Sequence, residues 1–184
     1  LDSDADEGSV GAIVAFRNVD VTGGVTATGA AGGPFDVEPG TISTSANTDI
    51  STVTVTGITT ATPNAAVVML GLLGNNRNFN ADWQIATGSQ ALTELYDVPF
   101  NTGLDNGIGA AWAIKSSASA TGSGTVTLSG NARNGGILVA LKAIPVAPSV
   151  TLTPAASPQN ILIGQSITFS ASAFNYAGTG NYTY

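Results

Sequence analysis

The sequence predicts an all-β chain: one antiparallel β-sandwich followed by part of a second β module. Three observations carry this. Short apolar or alternating runs of four to nine residues recur along the chain, and Gly, Asn, Asp and Pro clusters separate them. No segment shows a helical period flanked by caps. A length of 184 residues accommodates one large sandwich and part of another.

Taken in order, the first predicted strand is Val10 to Arg17 (VGAIVAFR). The Gly- and Thr-rich stretch from Val19 to Asn47 predicts irregular chain with one or two weak edge strands. In Ile50 to Thr56, Val53 and Val55 alternate with Thr52, Thr54 and Thr56, which puts valines on a buried face and threonines on a wet one. Ala65 to Leu73 and Ile137 to Leu141 are apolar at both parities, so they should be central strands covered on both sides. Ala91 to Tyr96, Gly109 to Lys115, Gly124 to Ser129 and Ile137 to Ile144 complete the set. Turns are expected at Thr22-Gly23-Gly24, Ala31-Gly32-Gly33-Pro34, Gly74-Asn75-Asn76, Asp105-Asn106-Gly107 and Asn134-Gly135-Gly136, residue types that accept positive φ or close turns.

Pro145-Val146-Ala147-Pro148 ends the pattern, because two prolines in four residues favour an extended connection and exclude a central strand. Residues 1–144 are therefore expected to form one domain, 145–148 a proline linker and 149–184 a second, partial module. In the last, Ser149 to Thr153, Asn160 to Ile163, Ser166 to Ala173 and Asn181 to Tyr184 suit strands.

SVTLTPAASPQNILIGQSITFSASA followed by AGTGNYTY resembles the opening half of immunoglobulin-like or PKD-like modules of microbial cell-surface proteins. GAIVAFRNVD, ATPNAAVVMLGLL, TELYD and GGILVALKAI resemble jelly-roll-like β-sandwich modules of large bacterial, archaeal and phage surface or appendage proteins. The second resemblance implies further strands before Val10. The chain would then be a segment of a larger polypeptide, or a neighbour would supply the missing strands.

Composition narrows the function. Only 9% of residues are charged, against roughly 25% in ordinary soluble domains, so Thr, Ser, Asn and Gly must build most of the wet surface, as in secreted β-rich proteins. The expected location is extracellular, on a cell or virion surface. The net charge is −7, and the five basic residues, Arg17, Arg77, Lys115, Arg133 and Lys142, are scattered, which argues against a nucleic-acid partner. No run has the length of a membrane span. The absence of His and Cys removes Ser-His and Cys-His nucleophile pairs, thiolate or His-ligated metals and the commonest general base, and no enzyme activity is expected. The remaining enzymatic route is a carboxylate-only glycosidase using two of Glu7, Glu38, Glu94, Asp82, Asp97 and Asp105.

Six sets of side chains stand out. Asp2, Asp4, Asp6 and Glu7 alternate as a solvated acidic segment would, or as an irregular calcium site would; an EF-hand is excluded, since Glu7 stands where its loop needs Gly and Ile13 where it needs Glu. Asp97, Asn101, Asp105 and Asn106 form a second oxygen-rich stretch that turn chemistry also explains. Trp112, in an apolar strand, is expected in the core. Trp83, in a polar context, reads either as a lid over the sandwich end or as a glycan platform with Tyr96, Asn78 and Asn80. Lys115 and Lys142 end apolar strands, where snorkelling to solvent or an isopeptide bond assisted by Glu94 are the alternatives, and Asn181-Tyr182-Thr183 is a glycosylation sequon. The function expected is a structural subunit or segment of an extracellular filament, appendage or virion surface, its partners being copies of itself or other subunits joined by β-strand addition or edge contacts. An adhesin or carbohydrate-binding module is the alternative, with glycans as partners.

Overall fold

The structure is a computed structural model that describes residues 9–86, 90–100 and 106–145, together with the backbone of Ser149–Thr153 and Ser170–Phe174. The chain divides into two compact units, Leu1–Ile144 and Pro145–Tyr184. The described residues contain strands, turns and irregular chain but no helix.

In the first unit the strands are β1 (Gly24–Val25), β2 (Ala31–Gly33), β3 (Ser43–Thr44), β4 (Ile50–Val55), β5 (Ala65–Leu73), β6 (Gln84–Ile85), β7 (Gln90–Ala91), β8 (Thr93–Phe100), β9 (Asn106–Lys115), β10 (Gly124–Ala132) and β11 (Asn134–Leu141). They form a five-stranded sheet in the order β3-β11-β5-β9-β8, a four-stranded sheet in the order β4-β10-β6-β7, and the small pair β1-β2. All pairings are antiparallel. The chain passes from one sheet to the other at β3–β4, β4–β5, β5–β6, β7–β8, β9–β10 and β10–β11, giving an all-β, antiparallel sandwich. In the second unit, β12 (Ser149–Thr153) pairs antiparallel with β13 (Ser170–Phe174).

Burial follows side-chain alternation. Val53 and Val55 of β4, Val126 and Leu128 of β10 and Ile85 of β6 meet Ala65, Val67, Met69 and Leu73 of β5 and Leu138 and Ala140 of β11 in one core cluster. On the outside of the four-stranded sheet, Thr54 lies opposite Thr125 and Thr52 opposite Thr127. The valine-in, threonine-out expectation for this strand therefore holds.

The aromatic centre of the core comes from the β5–β6 connection. Gly71 and Gly109 lie directly opposite each other on β5 and β9. A Cβ at Gly71 would stand 2.6 Å from the Phe79 ring, and one at Gly109 would stand 2.5 Å from Phe79 and 2.9 Å from Trp83. The paired glycines thus open a bay in the sheet floor. Phe79 fills it and stacks on Trp83 with centroids 4.8 Å apart and planes inclined by 28°. Trp83 is 1% exposed and Phe79 5%.

A second tie is polar. Asp36, 6% exposed, accepts the Ala61 N–H at 2.6 Å on Oδ2 and the Thr62 N–H at 3.1 Å on Oδ1, and the Thr62 hydroxyl also donates to Oδ1. Its own N–H donates to the Ala140 carbonyl at 2.8 Å. One carboxylate therefore fastens the turn before β5 to the margin of β11.

Four expectations are corrected. Residues 9–17 form no strand, and among the described residues nothing hydrogen-bonds to their backbone. The short ladder that follows this segment ends at Asn18. Asp20 N–H donates to Lys142 O, Ile144 N–H donates to Asn18 O, and Val19 bridges Ala143. Asn18 leaves the ladder with φ of 61°. Trp112 is not in the core; it faces the outside of the five-stranded sheet, half-buried, opposite Val68. Asn134 to Gly136, expected as a turn, opens β11, and Asp97 to Phe100, expected as loop, continues β8.

Two substitutions test this packing. Gly71→Ala or Gly109→Ala should each destabilise the fold by about 1–3 kcal/mol, since a buried ring cannot retreat from the new methyl without displacing its stacked neighbour; urea denaturation followed by tryptophan emission measures it. Asp36→Asn should cost roughly 1–3 kcal/mol by the same assay, because its amide turns N–H groups toward the N–H donors it now faces.

Candidate functional site

The residues singled out from the sequence do not converge on one surface. Trp83 points into the core, where its Nε1–H donates to Glu94 Oε2 at 2.8 Å, so its face cannot serve as a glycan platform. Tyr96 lies opposite Ala110 on the outer side of the five-stranded sheet. Asn78 and Asn80 do stand together, on the exposed strip that runs along β10. There Asn78 N–H donates to Ser129 Oγ, Asn80 Nδ2 donates to Thr127 Oγ1 at 2.7 Å, and Asp82 accepts both the N–H and the hydroxyl of Thr127. These groups staple the strip to the sheet. Asp2, Asp4, Asp6, Glu7, Asn101, Asp105 and Asn181 lie outside the described residues. Among the described residues no three His, Cys, Asp or Glu side chains are grouped as metal ligands.

The carboxylates have structural partners too. Asp97 Oδ2 accepts the Phe79 N–H at 3.0 Å. Burial pushes the Asp97 carboxyl above its ordinary value of 3.8 and the nearby Glu94 charge adds to the rise, while the Phe79 N–H and the Asn78 side chain oppose it. Burial likewise raises the Tyr96 phenol. A shallow groove of about 410 Å³ between Val37–Thr41 and Thr56–Thr59 carries a single carboxylate, Glu38, where glycoside hydrolysis by paired carboxylates needs two. Lys142 Nζ donates to the Gly23 carbonyl, and the Asp20 carboxyl nearby is held low chiefly by the Gly23 N–H. Glu94 bonds Trp83, and its ladder partner is Ala111, whereas Lys115 pairs with Ala65.

What sequence reasoning missed is the outer face of the five-stranded sheet. Along β5, Ala65, Val67, Met69 and Leu73 belong to the core cluster, so Ala66, Val68, Leu70 and Leu72 face away from it. Val68 lies opposite Trp112 and Val139, Leu70 opposite Ala110 and Ile137, and Leu72 opposite Ile108. The face is apolar across three adjacent strands. Val68 is 4% exposed and Ala110 0%, yet neither belongs to the core cluster. Toward the ends of the face Leu72 is 55% exposed and Ile114 47%. Phe16, from the unpaired segment 9–17, meets Trp112 edge-on with centroids 5.7 Å apart and planes at 72°. Three residues earlier, Ile13 is 100% exposed. The sequence does hold the signal, in strands apolar at both parities, but that pattern implies a covering layer without saying which chain provides it.

The fold and this surface define a β-sandwich module with one polar and one apolar outer face. Comparison with known proteins finds no protein-family model, no curated protein and no solved structure that matches the chain.

The raised Asp97 carboxyl gives a pH test with a definite sign. Because the folded state holds this proton more tightly than the unfolded chain, its stabilising contribution is complete below 3.8 and is lost as pH rises through the folded value. Asp97→Asn keeps an oxygen for the Phe79 N–H and removes the charge. The melting temperature of the variant, relative to the parent, should therefore be higher at neutral pH than well below pH 3.8; a difference that is flat or reversed across that range would refute the assignment.

Proposed function

We propose that this chain is a structural module of an extracellular assembly, such as a filament, an appendage or a virion surface, held to copies of itself or to related subunits through its sheet surfaces and unpaired segments. The observation that carries the reading is the outer face of the five-stranded sheet, apolar over β11, β5 and β9 and incompletely covered. Solvated monomers seldom keep a contiguous apolar face of this kind, and such faces mark interaction surfaces. The low charge, the threonine face of the other sheet and the proline linker to a second β unit agree with a repeating surface protein. On this reading the first unit is a jelly-roll-like module of the kind found in microbial and phage surface proteins, and β12 and β13 open an immunoglobulin-like module. The glycan-binding alternative loses its main support with Trp83 buried and Tyr96 on a different surface from Asn78 and Asn80.

Sedimentation velocity over a wide concentration range, with negative-stain electron microscopy of the same material, tests the proposal. Concentration-dependent growth into regular assemblies is expected. A sharp monomer boundary at every concentration, with only dispersed particles on the grid, would overturn it.

A further inference from the structure

Within this reading, and resting on it, the structure assigns a specific contact: the apolar segment Val10–Ala15 of one copy, which runs on from Phe16 at its own Trp112, packs on the outer face of the five-stranded sheet of a second copy. The occupant is identified by what the chain already does to itself. Phe16 sits edge-on against Trp112 at the middle of that face, so side chains of this segment and the face are shown to fit. The rest of the segment then departs. Ile13 is 100% exposed and Val14 39%, and among the described residues their backbone has no hydrogen-bond partner. Such a segment, AIVAF with no charge between Gly11 and Phe16, carries apolar surface that its own chain leaves in water. The face it touches has the complementary deficit, with Leu72 and Ile114 half-exposed on either side of the Trp112 region.

Edge pairing is the less favourable way to use the segment. The long free edge of the five-stranded sheet, β8, contains Pro99, which has no N–H, and a bulge between Glu94 and Tyr96, both devices that hinder strand addition. The opposite edge, at β11, is occupied: Asp36 and Gly40 donate to Ala140 and Leu138, and β3 pairs with Gly135 and Gly136. Contact through the face needs no open edge. It buries Ile13 and Val14 against Leu72 or Ile114 of the neighbour, and each copy offers both a segment and a face. The contact can therefore close a two-fold dimer or propagate from copy to copy.

The absence of cysteine makes the test clean, since any introduced thiol is unique. Ile13→Cys protein is mixed with Leu72→Cys or Ile114→Cys protein, or with Thr54→Cys protein as a control on the opposite sheet, and treated with a short bis-maleimide. All four positions are solvent-exposed, and circular dichroism melts verify the folds. A heterodimer with Leu72→Cys or Ile114→Cys, well above the Thr54→Cys background, is expected. In parallel, Ile13→Asp should weaken self-association roughly tenfold or more in sedimentation velocity. Crosslinking no better than the Thr54→Cys control, or unaltered association of Ile13→Asp, overturns the contact. If assemblies persist in that case, something else covers the face and the structural role still stands; if the parent protein is monomeric throughout, the contact and the structural role fail together.

Discussion

The pairing of Gly71 with Gly109 is the constraint on which the rest of the sandwich depends. Two adjacent central strands lack side chains at one level of their inner face, and the space is large enough for an aromatic ring to lie against the backbone. Phe79 takes it, and Trp83 stacks on Phe79. Because both rings belong to the β5–β6 connection, that connection must dip into the core, and its polar residues are then drawn along β10. Asn78, Asn80 and Asp82 bond Ser129 and Thr127, while Glu94 and Asp97 on β8 receive the Trp83 Nε1–H and the Phe79 N–H. One packing decision therefore fixes a strip of the four-stranded sheet and an edge of the five-stranded sheet together. Each of the two carboxylates takes one donor from the stack, while Asp97 Oδ1 stays buried with no hydrogen-bond partner.

Much of this architecture was legible from local pattern. The all-β class, the limits of β5, and the inward valines and outward threonines of β4 follow from apolar periodicity and turn residues alone. Tertiary effects defeated the rest. Trp83 looked half-exposed because its sequence neighbours Asp82 and Gln84 are polar, but Asp82 is engaged with Thr127 and the ring enters a bay made by glycines from two other strands. Trp112 looked buried because its strand is apolar, although alternation alone puts it on the side away from Ala111 and the core. Val10 to Arg17 has strand composition, but Asn18, at a φ of 61°, turns the chain out of the ladder at Val19 and Ala143 before this segment can join it. Of the four residues grouped as a ligand site, Asn78 and Asn80 are neighbours, while Trp83 and Tyr96 lie on opposite sides of one sheet, a distinction of parity that sequence proximity hides.

The two outer faces of the sandwich differ in a way that hydrogen bonding cannot explain, since both sheets pair their backbones. Threonines cover β4 and β10, and their hydroxyls suit water. Valine, leucine, isoleucine and tryptophan cover β5, β9 and β11. A face built like the first can stand in solvent without penalty, whereas a face built like the second gains free energy only when something apolar lies on it. Phe16 supplies a part of that cover at Trp112; Val68 and Ala110 are closed, while Leu72 and Ile114 remain open. The same chain therefore carries an incompletely covered face and an apolar segment with no backbone partner among the described residues. Blunting of β8 by Pro99 and its bulge removes the commonest indiscriminate use of such a sheet, edge-to-edge pairing. What is left to contact a neighbour is a surface of defined side chains, which can select its partner by shape where an open edge would accept any extended chain.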